Sequence, residues 1–142
     1  MGGHTLYKNG ILLNMKKFNN IIKLNQNTHS VTVQSGLLWS DLIKYLNNFG
    51  LAPMTLQSYS SFSIGGSISV NVHGITNDDS IYKSVIEIGI INANGQLKIC
   101  NRNKNNELFS LIIGGYGLFC VIVWIKLKVI PNVKLYLERC VF

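Results

Sequence analysis

The sequence predicts an α+β domain, and three observations carry that prediction. Residues 30–35 alternate Val31 and Val33 against Thr32 and Gln34, the period of a half-buried strand. Trp39, Leu42, Ile43, Leu46 and Phe49 fall on one face of a helix, with Gly50 as its stop signal. Asn94-Gly95 stands between two apolar runs, a strong signal for a hairpin turn. The chain has 142 residues, the size of one domain. A chain of that size buries roughly 70 % of its unfolded surface.

The remaining elements follow in order. A turn at Lys8-Asn9-Gly10 leads into a strand over residues 11–15, and Ile21-Ile22-Lys23-Leu24 forms a second apolar patch. Residues 53–63 are polar and extended. From Ile64 to Gly74 small and apolar residues alternate, which reads as a strand with little bulk on one face. Strands are expected over 85–92 and 96–100, a short helix over 107–113, a break at Gly114-Gly115, and a long strand over 118–129 that Pro131 ends.

Composition excludes several classes. An apolar fraction of 47 % with 10 % aromatics rules out a disordered tail. Residues 108–130 are long and apolar enough to raise a membrane span, but Gly114, Gly115 and Gly117 interrupt them and Lys126 and Lys128 lie inside. No transmembrane segment is expected. The net charge is +7, yet no basic run exceeds two residues and there are two arginines, Arg102 and Arg139. A polyanion groove needs clustered basic residues interleaved with aromatics, so no nucleic-acid partner is expected. Cys100, Cys120 and Cys140 are odd in number and widely spaced, and Met-Gly-Gly-His-Thr is no secretory signal. Both point to a reducing, cytoplasmic setting.

Chemistry-bearing motifs are few. His4, His29 and His73 lie far apart with no CxxC or HExxH, so no metal site is expected. Asp78-Asp79 reads as a solvated turn, and Gly65-Gly66-Ser67 is no GxSxG elbow. What remains is glycine: Gly2-Gly3, Gly65-Gly66, and Gly114-Gly115-Tyr116-Gly117. The last follows a helix and precedes a strand, the reverse of a Rossmann turn, and fails as a dinucleotide fingerprint. Each cluster alone is accounted for by a tight turn. Three such turns can also supply backbone N–H groups to a pyrophosphate.

In order, these motifs resemble one family. Gly2-Gly3, then Val31 through Gly36 with Trp39-Ser40-Asp41-Leu42, then Gly50-Leu51-Ala52-Pro53, then Phe62 through His73-Gly74, are similar to the PCMH-type FAD-binding domain of the vanillyl-alcohol-oxidase-like flavoproteins. Asn106 through Gly117 with Val121-Ile122 and Leu127 resembles the end of that domain, and the His73-Gly74 ending resembles the branch that oxidises sugar lactones and polyols. The resemblance implies an incomplete first subdomain over 1–53 and a mostly antiparallel second subdomain over 54–136. Residues 137–142 would begin a further region. It implies that Gly2 and Gly3 belong to a loop around the pyrophosphate, and that Gly65, Gly66, Ser67, Ser69, Asn71, His73 and Gly74 lie along the flavin and its diphosphate. Gly117, Val121 and Ile122 would offer backbone groups to the cofactor, with Pro53 and the loop from Ser58 to Ser61 lining the same groove. His4 is the candidate for a covalent flavin link, although Gly2-Gly3 and Gly10 align with the loop's second half, which puts the usual linkage position before Met1.

Three departures qualify the functional expectation. The resemblance implies that the chain opens inside the pyrophosphate loop and stops just after the flavin domain, and Cys120 stands where the family has glycine. The expected function is an FAD-binding fragment of an oxidoreductase acting on CH–OH of a sugar, lactone or polyol, without turnover alone. No general base is convincing, and His73 is the nearest candidate for a polar role at the ring. A complementing chain carrying the missing strands and cap is the expected partner. The alternatives are a degenerate remnant and a basic binding module without flavin.

Overall fold

Apolar alternation becomes β-structure here wherever a neighbouring strand can complete the hydrogen bonds. The computed structural model describes residues 8–75, 79–133 and 138. In chain order these form β1 (Ile21–Asn25), β2 (Ser30–Gln34), α1 (Trp39–Asn47), β3 (Leu51–Pro53), α2 (Ile64–Ser69), β4 (Val85–Ile91), β5 (Leu97–Asn101), α3 (Asn106–Ile112) and β6 (Val121–Pro131). The strands make one six-stranded sheet in the order β1-β2-β6-β4-β5, with β3 also pairing β6. Every pairing is antiparallel. The architecture is thus mixed α+β, as expected.

β6 is the axis of the sheet. Along one edge it pairs β2, from Gln34 opposite Trp124 to Ser30 opposite Lys128. Along the other edge it pairs β4, with Ile88 opposite Ile125, and beyond the start of β4 it pairs β3, from Pro53 opposite Val129 to Leu51 opposite Pro131; Lys128 marks the change, donating to Ser84 O and accepting from Met54 N. Ile125, Leu127 and Val129 are buried while Lys128 and Ile130 are exposed, so the alternation at the end of β6 sorts one face into the core. The sheet draws on strands from both sides of residue 53.

The helices close the core. In α1, Trp39, Leu42 and Leu46 are buried; Phe49 lies beyond the helix and is half-exposed. Gly50 follows at φ +65°, the left-handed conformation that ends the helix. α1 packs against β3, α2 against β6 and α3 against β5. Arg102 donates to Val85 O and Tyr82 O and lies over the Tyr82 and Phe109 rings, pinning the start of β4 to α3. This arginine is spent on the fold.

Three expectations are corrected. Residues 11–15 form no strand: Ile11, Leu12 and Leu13 are exposed, and Asn14 Oδ1 accepts from Lys16 N to start a 3-10 turn at Met15–Lys17. Among the described residues no strand pairs with them, and unpaired backbone does not make a ladder. The stretch from Ile64 is not a strand but α2. Ile64 and Ile68 are four apart, both fully buried on one helical face, and Ser63 caps the helix. Finally, residues 118–120 precede rather than open β6.

Core position on β6 sets the expected cost of truncation. Ile125→Ala removes a fully buried side chain between β2 and β4 and is expected to cost about 2–5 kcal/mol. Ile130→Ala, on the exposed side, is expected to cost less than about 1 kcal/mol. Urea midpoints of the two variants against the parent chain check this.

Candidate functional site

α2 is held in place at both ends by backbone. At its start Ile64 N donates to Leu37 O (2.9 Å), Gly65 N to Ser35 O (2.8 Å) and Ser67 N to Ser63 O (3.0 Å). Gly66 N donates to the capping Ser63 Oγ over a longer 3.3 Å. At its end Ile68 O accepts from Gly114 N (3.0 Å) and Ser69 O from Tyr116 N (2.9 Å). These last two bonds bring the second and third glycine motifs together, though residues 70–113 separate them in sequence. Gly114, Tyr116 and Gly117 all have positive φ, at +86°, +52° and +76°, which gives the turn the curvature to reach back to α2.

The two glycines of α2 have different work. A Cβ on Gly65 would stand 2.8 Å from Ser35 Cβ and 2.9 Å from Ser35 O, so Gly65 exists to let α2 touch the end of β2. A Cβ on Gly66 would meet only Ser63 Oγ, at 3.0 Å, and Gly66 is exposed. The fold leaves the bare backbone of Gly66 to whatever comes from outside. Gly117 is likewise exposed, with nothing within 4 Å of an added Cβ.

Ser67 is spent internally. Its buried hydroxyl accepts from Trp39 Nε1 (2.8 Å) and Gln57 Nε2 (2.9 Å) and donates to Ser63 O (3.1 Å). Both lone pairs and the proton are used, which leaves nothing for a ligand. Ser69 Oγ donates back to Gly65 O (2.9 Å) and keeps acceptor capacity. Asn71 is exposed in the left-handed conformation (φ +46°). His73 Nδ1 lies 3.0 Å from Gly74 O. A carbonyl only accepts, so Nδ1 carries the proton and Nε2 is the basic nitrogen. Gly74 is buried, donating to Asp79 O.

The other expected site residues divide. Ser69, Gly117 and Ile122 share the walls of a hollow of about 10 Å³ with Ile112, Gly115, Phe119 and Cys120. That volume holds a water at most, so no ring enters it. Val121 and Ile122 stand in the sheet opposite Ile91 and Ile90. Ser58 is exposed beside Gln57. Pro53, expected along the groove, is instead buried at the end of β3 opposite Val129, where a residue without an N–H closes a short strand. Gly2, Gly3 and His4 lie outside the described residues. A larger cleft of about 420 Å³ is lined by Leu24, Asn25, Gln26, Asn27, Tyr45 and Phe49 and shares no residue with this site.

A flat ligand therefore has a surface rather than a pit. Around the 114–117 turn Val70, Leu111, Tyr116, Leu118 and Phe119 keep between 38 % and 82 % of their area exposed. An apolar floor, bare glycine backbone and short polar side chains suit a planar ring with a polar tail. Among the described residues no group of three or more His, Cys, Asp or Glu could hold a metal ion. No helix of the described residues is long and apolar enough to cross a membrane. Burial pushes the Cys120 thiol up to about 11, with the neighbouring Cys100 adding to the shift. Burial also raises Cys100, partly countered by Lys98.

Sequence reasoning missed Gln57, Ser63 and Ser35. Ser63 before an apolar residue is a readable cap signal. Gln57 is hidden because residues 51–57 alternate in burial like a strand, but with Thr55 and Gln57 among the inward positions. Hydropathy does not flag polar residues facing in. Ser35 Oγ and Thr55 Oγ1 are buried without a hydrogen-bond partner among the described residues, and Ser35 lies against Gly65 at the root of α2.

Comparison with known proteins gives this surface a context. The model of an FAD binding domain family matches residues 1–101. The chain is 29 % identical over 139 residues to cytokinin dehydrogenase 3 of Arabidopsis thaliana, covering 92 % of this chain and 26 % of that protein. It is 29 % identical over 139 residues to L-gulonolactone oxidase of Bos taurus, covering 94 % of this chain and 32 % of that protein. A putative D-arabinono-1,4-lactone oxidase of Neurospora crassa is 30 % identical over 125 residues, covering 87 % and 22 %. The chain thus spans between a fifth and a third of the length of these relatives.

Two outcomes follow from the site's geometry. Gly65→Ala is expected to destabilise the chain by about 1–3 kcal/mol through its clash with Ser35. In Gly66→Ala the helix-propensity gain of about 1 kcal/mol offsets the crowding of Ser63; thermal melts of both variants separate the two. The thiol prediction has a definite sign. Raised from 9.0 to about 11, Cys120 stays protonated at pH 8 and is expected to alkylate with iodoacetamide about 100-fold more slowly folded than unfolded, gaining reactivity as pH climbs toward 11.

Proposed function

The chain belongs to the FAD binding domain family, and on that premise we propose that it holds FAD over α2 and the 114–117 turn. The observation that carries the proposal is the pair of bonds from Gly114 N and Tyr116 N to the last carbonyls of α2. They join the bare backbone of Gly66 to the open turn at Gly117, with Ser69, Asn71 and His73 between. Gly66 is the start-of-helix N–H most easily redirected to a phosphate, since its bond to Ser63 is the longest of that turn. Ser69 and Asn71 offer short polar side chains, and the apolar residues around the turn take the flat face of the ring. Ser67 acts by holding α2. His73 is engaged by its own neighbouring carbonyl and steadies backbone, which leaves Nε2 to accept a hydrogen bond from the ring's polar edge. Gly2, Gly3 and His4 complete the proposal as a pyrophosphate loop.

Bound FAD would supply hydride acceptance from a C–H that bears an alcohol or lactol oxygen. A sugar, lactone or polyol substrate is supported by the lactone oxidases among the relatives, and the chain is proposed to have no turnover alone. A complementing chain is part of this reading. Ile11, Leu12 and Leu13 are exposed, and β1 has one edge without a described partner, an arrangement that accepts a further strand. The division into 1–53 and 54–136 and the cytoplasmic setting belong to the same proposal.

The test is a titration of the purified chain with FAD, following flavin fluorescence and the thermal melt. Stoichiometric binding is expected, with about 2.7 kcal/mol of added stability at an FAD concentration 100 times Kd. Gly66→Ala is expected to weaken FAD at least about tenfold while the ligand-free melt holds. A cooperative melt with no response to FAD overturns the proposal, and an absent melt marks a remnant. Salt-sensitive binding to nucleic acid or anionic lipid without flavin would mark a basic module instead.

A further inference from the structure

One amide nitrogen joins the two polar parts of the site. Gln57 Nε2 donates to Ser67 Oγ on α2 (2.9 Å) and to Tyr59 O in the following loop (3.1 Å), which spends both of its hydrogens. The residue is 8 % exposed and Ser67 2 %, so both ends of the first bond are shielded from water. The loop is tied on its other side by backbone: Ser60 O accepts from Ser40 N (2.8 Å) and Phe62 O from Trp39 N (3.1 Å). These are the first amides of α1, which has no side-chain cap of its own. Loop 58–62 therefore serves as the cap of α1; its end runs through Ser63 into α2, and its start is tied back to α2 by one side chain.

We infer that Gln57 is a positioning residue that sets where loop 58–62, and Ser58 with it, stands relative to Gly66 on α2. The inference rests on the FAD proposal above for its functional meaning, and on the hydrogen bonds alone for its structural part. Trp39 supplies the contrast. Its Nε1 donates to the same Ser67 Oγ, yet its side chain makes no hydrogen bond to the loop. Removing either donor takes one hydrogen bond from Ser67, and only the loss of Gln57 also frees the start of the loop from α2.

The experiment compares Gln57→Leu and Trp39→Phe in the full chain by FAD titration, thermal melt and hydrogen exchange. Exchange is read at the Ser40 amide relative to Ile88 and Ile125 in the sheet. Gln57→Leu is expected to speed Ser40 exchange and to weaken FAD, each by about tenfold, the scale of one lost buried hydrogen bond. Trp39→Phe is expected to lower the melt while holding FAD affinity within about threefold of the parent. Should Gln57→Leu fail to fold, Gln57→Met keeps the length and apolar stem and carries the same expectations. Unchanged Ser40 exchange in the Gln57 variant overturns the inference, as does a loss of FAD affinity in both variants that tracks their melts. If the parent chain binds no FAD, the FAD proposal falls, and Ser40 exchange still decides whether Gln57 holds the loop.

Discussion

β6 must satisfy two hydrogen-bonding edges over eleven residues while burying only one face, and most of the molecule answers that demand. One edge is met by β2; the other is met by β4 and then, past the start of β4, by the three residues of β3. An unpaired buried N–H or C=O costs on the order of 1–3 kcal/mol, so a short strand such as β3 is worth keeping even though it contributes little apolar area. The same demand fixes where β6 begins. The chain reaches Val121 from the 114–117 turn, and that turn is bonded to the end of α2. The site is thus built from the approach to the central strand rather than added to it.

α2 shows how a short helix is held when it has little propensity of its own. Two adjacent glycines oppose it by about 1 kcal/mol each. Ile64 and Ile68 are fully buried, and four backbone or cap bonds at the start and two at the end supply what sequence preference does not. The saturated Ser67 hydroxyl adds a buried polar anchor, and such a network fixes one arrangement because any slip leaves a donor or acceptor unpaired. A surface proposed to take a flat ligand would gain from that rigidity. Ordering α2 at folding leaves less to be ordered at binding.

Charge plays a small part in this site. The net +7 is carried by lysines spread along the chain, and Arg102 is committed to carbonyls and aromatic faces. In the proposed site, recognition would rest on backbone approach, short hydroxyl and amide side chains, and apolar floor. That matches a ligand whose ring is apolar across its faces and polar at its rim.

Sequence by itself determined the strands in which apolar residues alternate, because period two places Val31 and Val33, or Ile125, Leu127 and Val129, on one face whatever the partner. It determined α1, whose apolar spacing and Gly50 stop are local, and the Asn94-Gly95 turn, where Asn92 O accepts from Gly95 N. The order of the glycine motifs determined the family. Tertiary structure alone decided that residues 64–69 are helical, since small and apolar residues fit a strand equally until Ser35 and β6 are alongside. It decided that Pro53 closes a strand, that Ser67 is consumed and Gly66 left bare, and that Gln57 faces inward. Each of these depends on a hydrogen-bond partner or a close contact far away in sequence, and no local pattern encodes who that neighbour is.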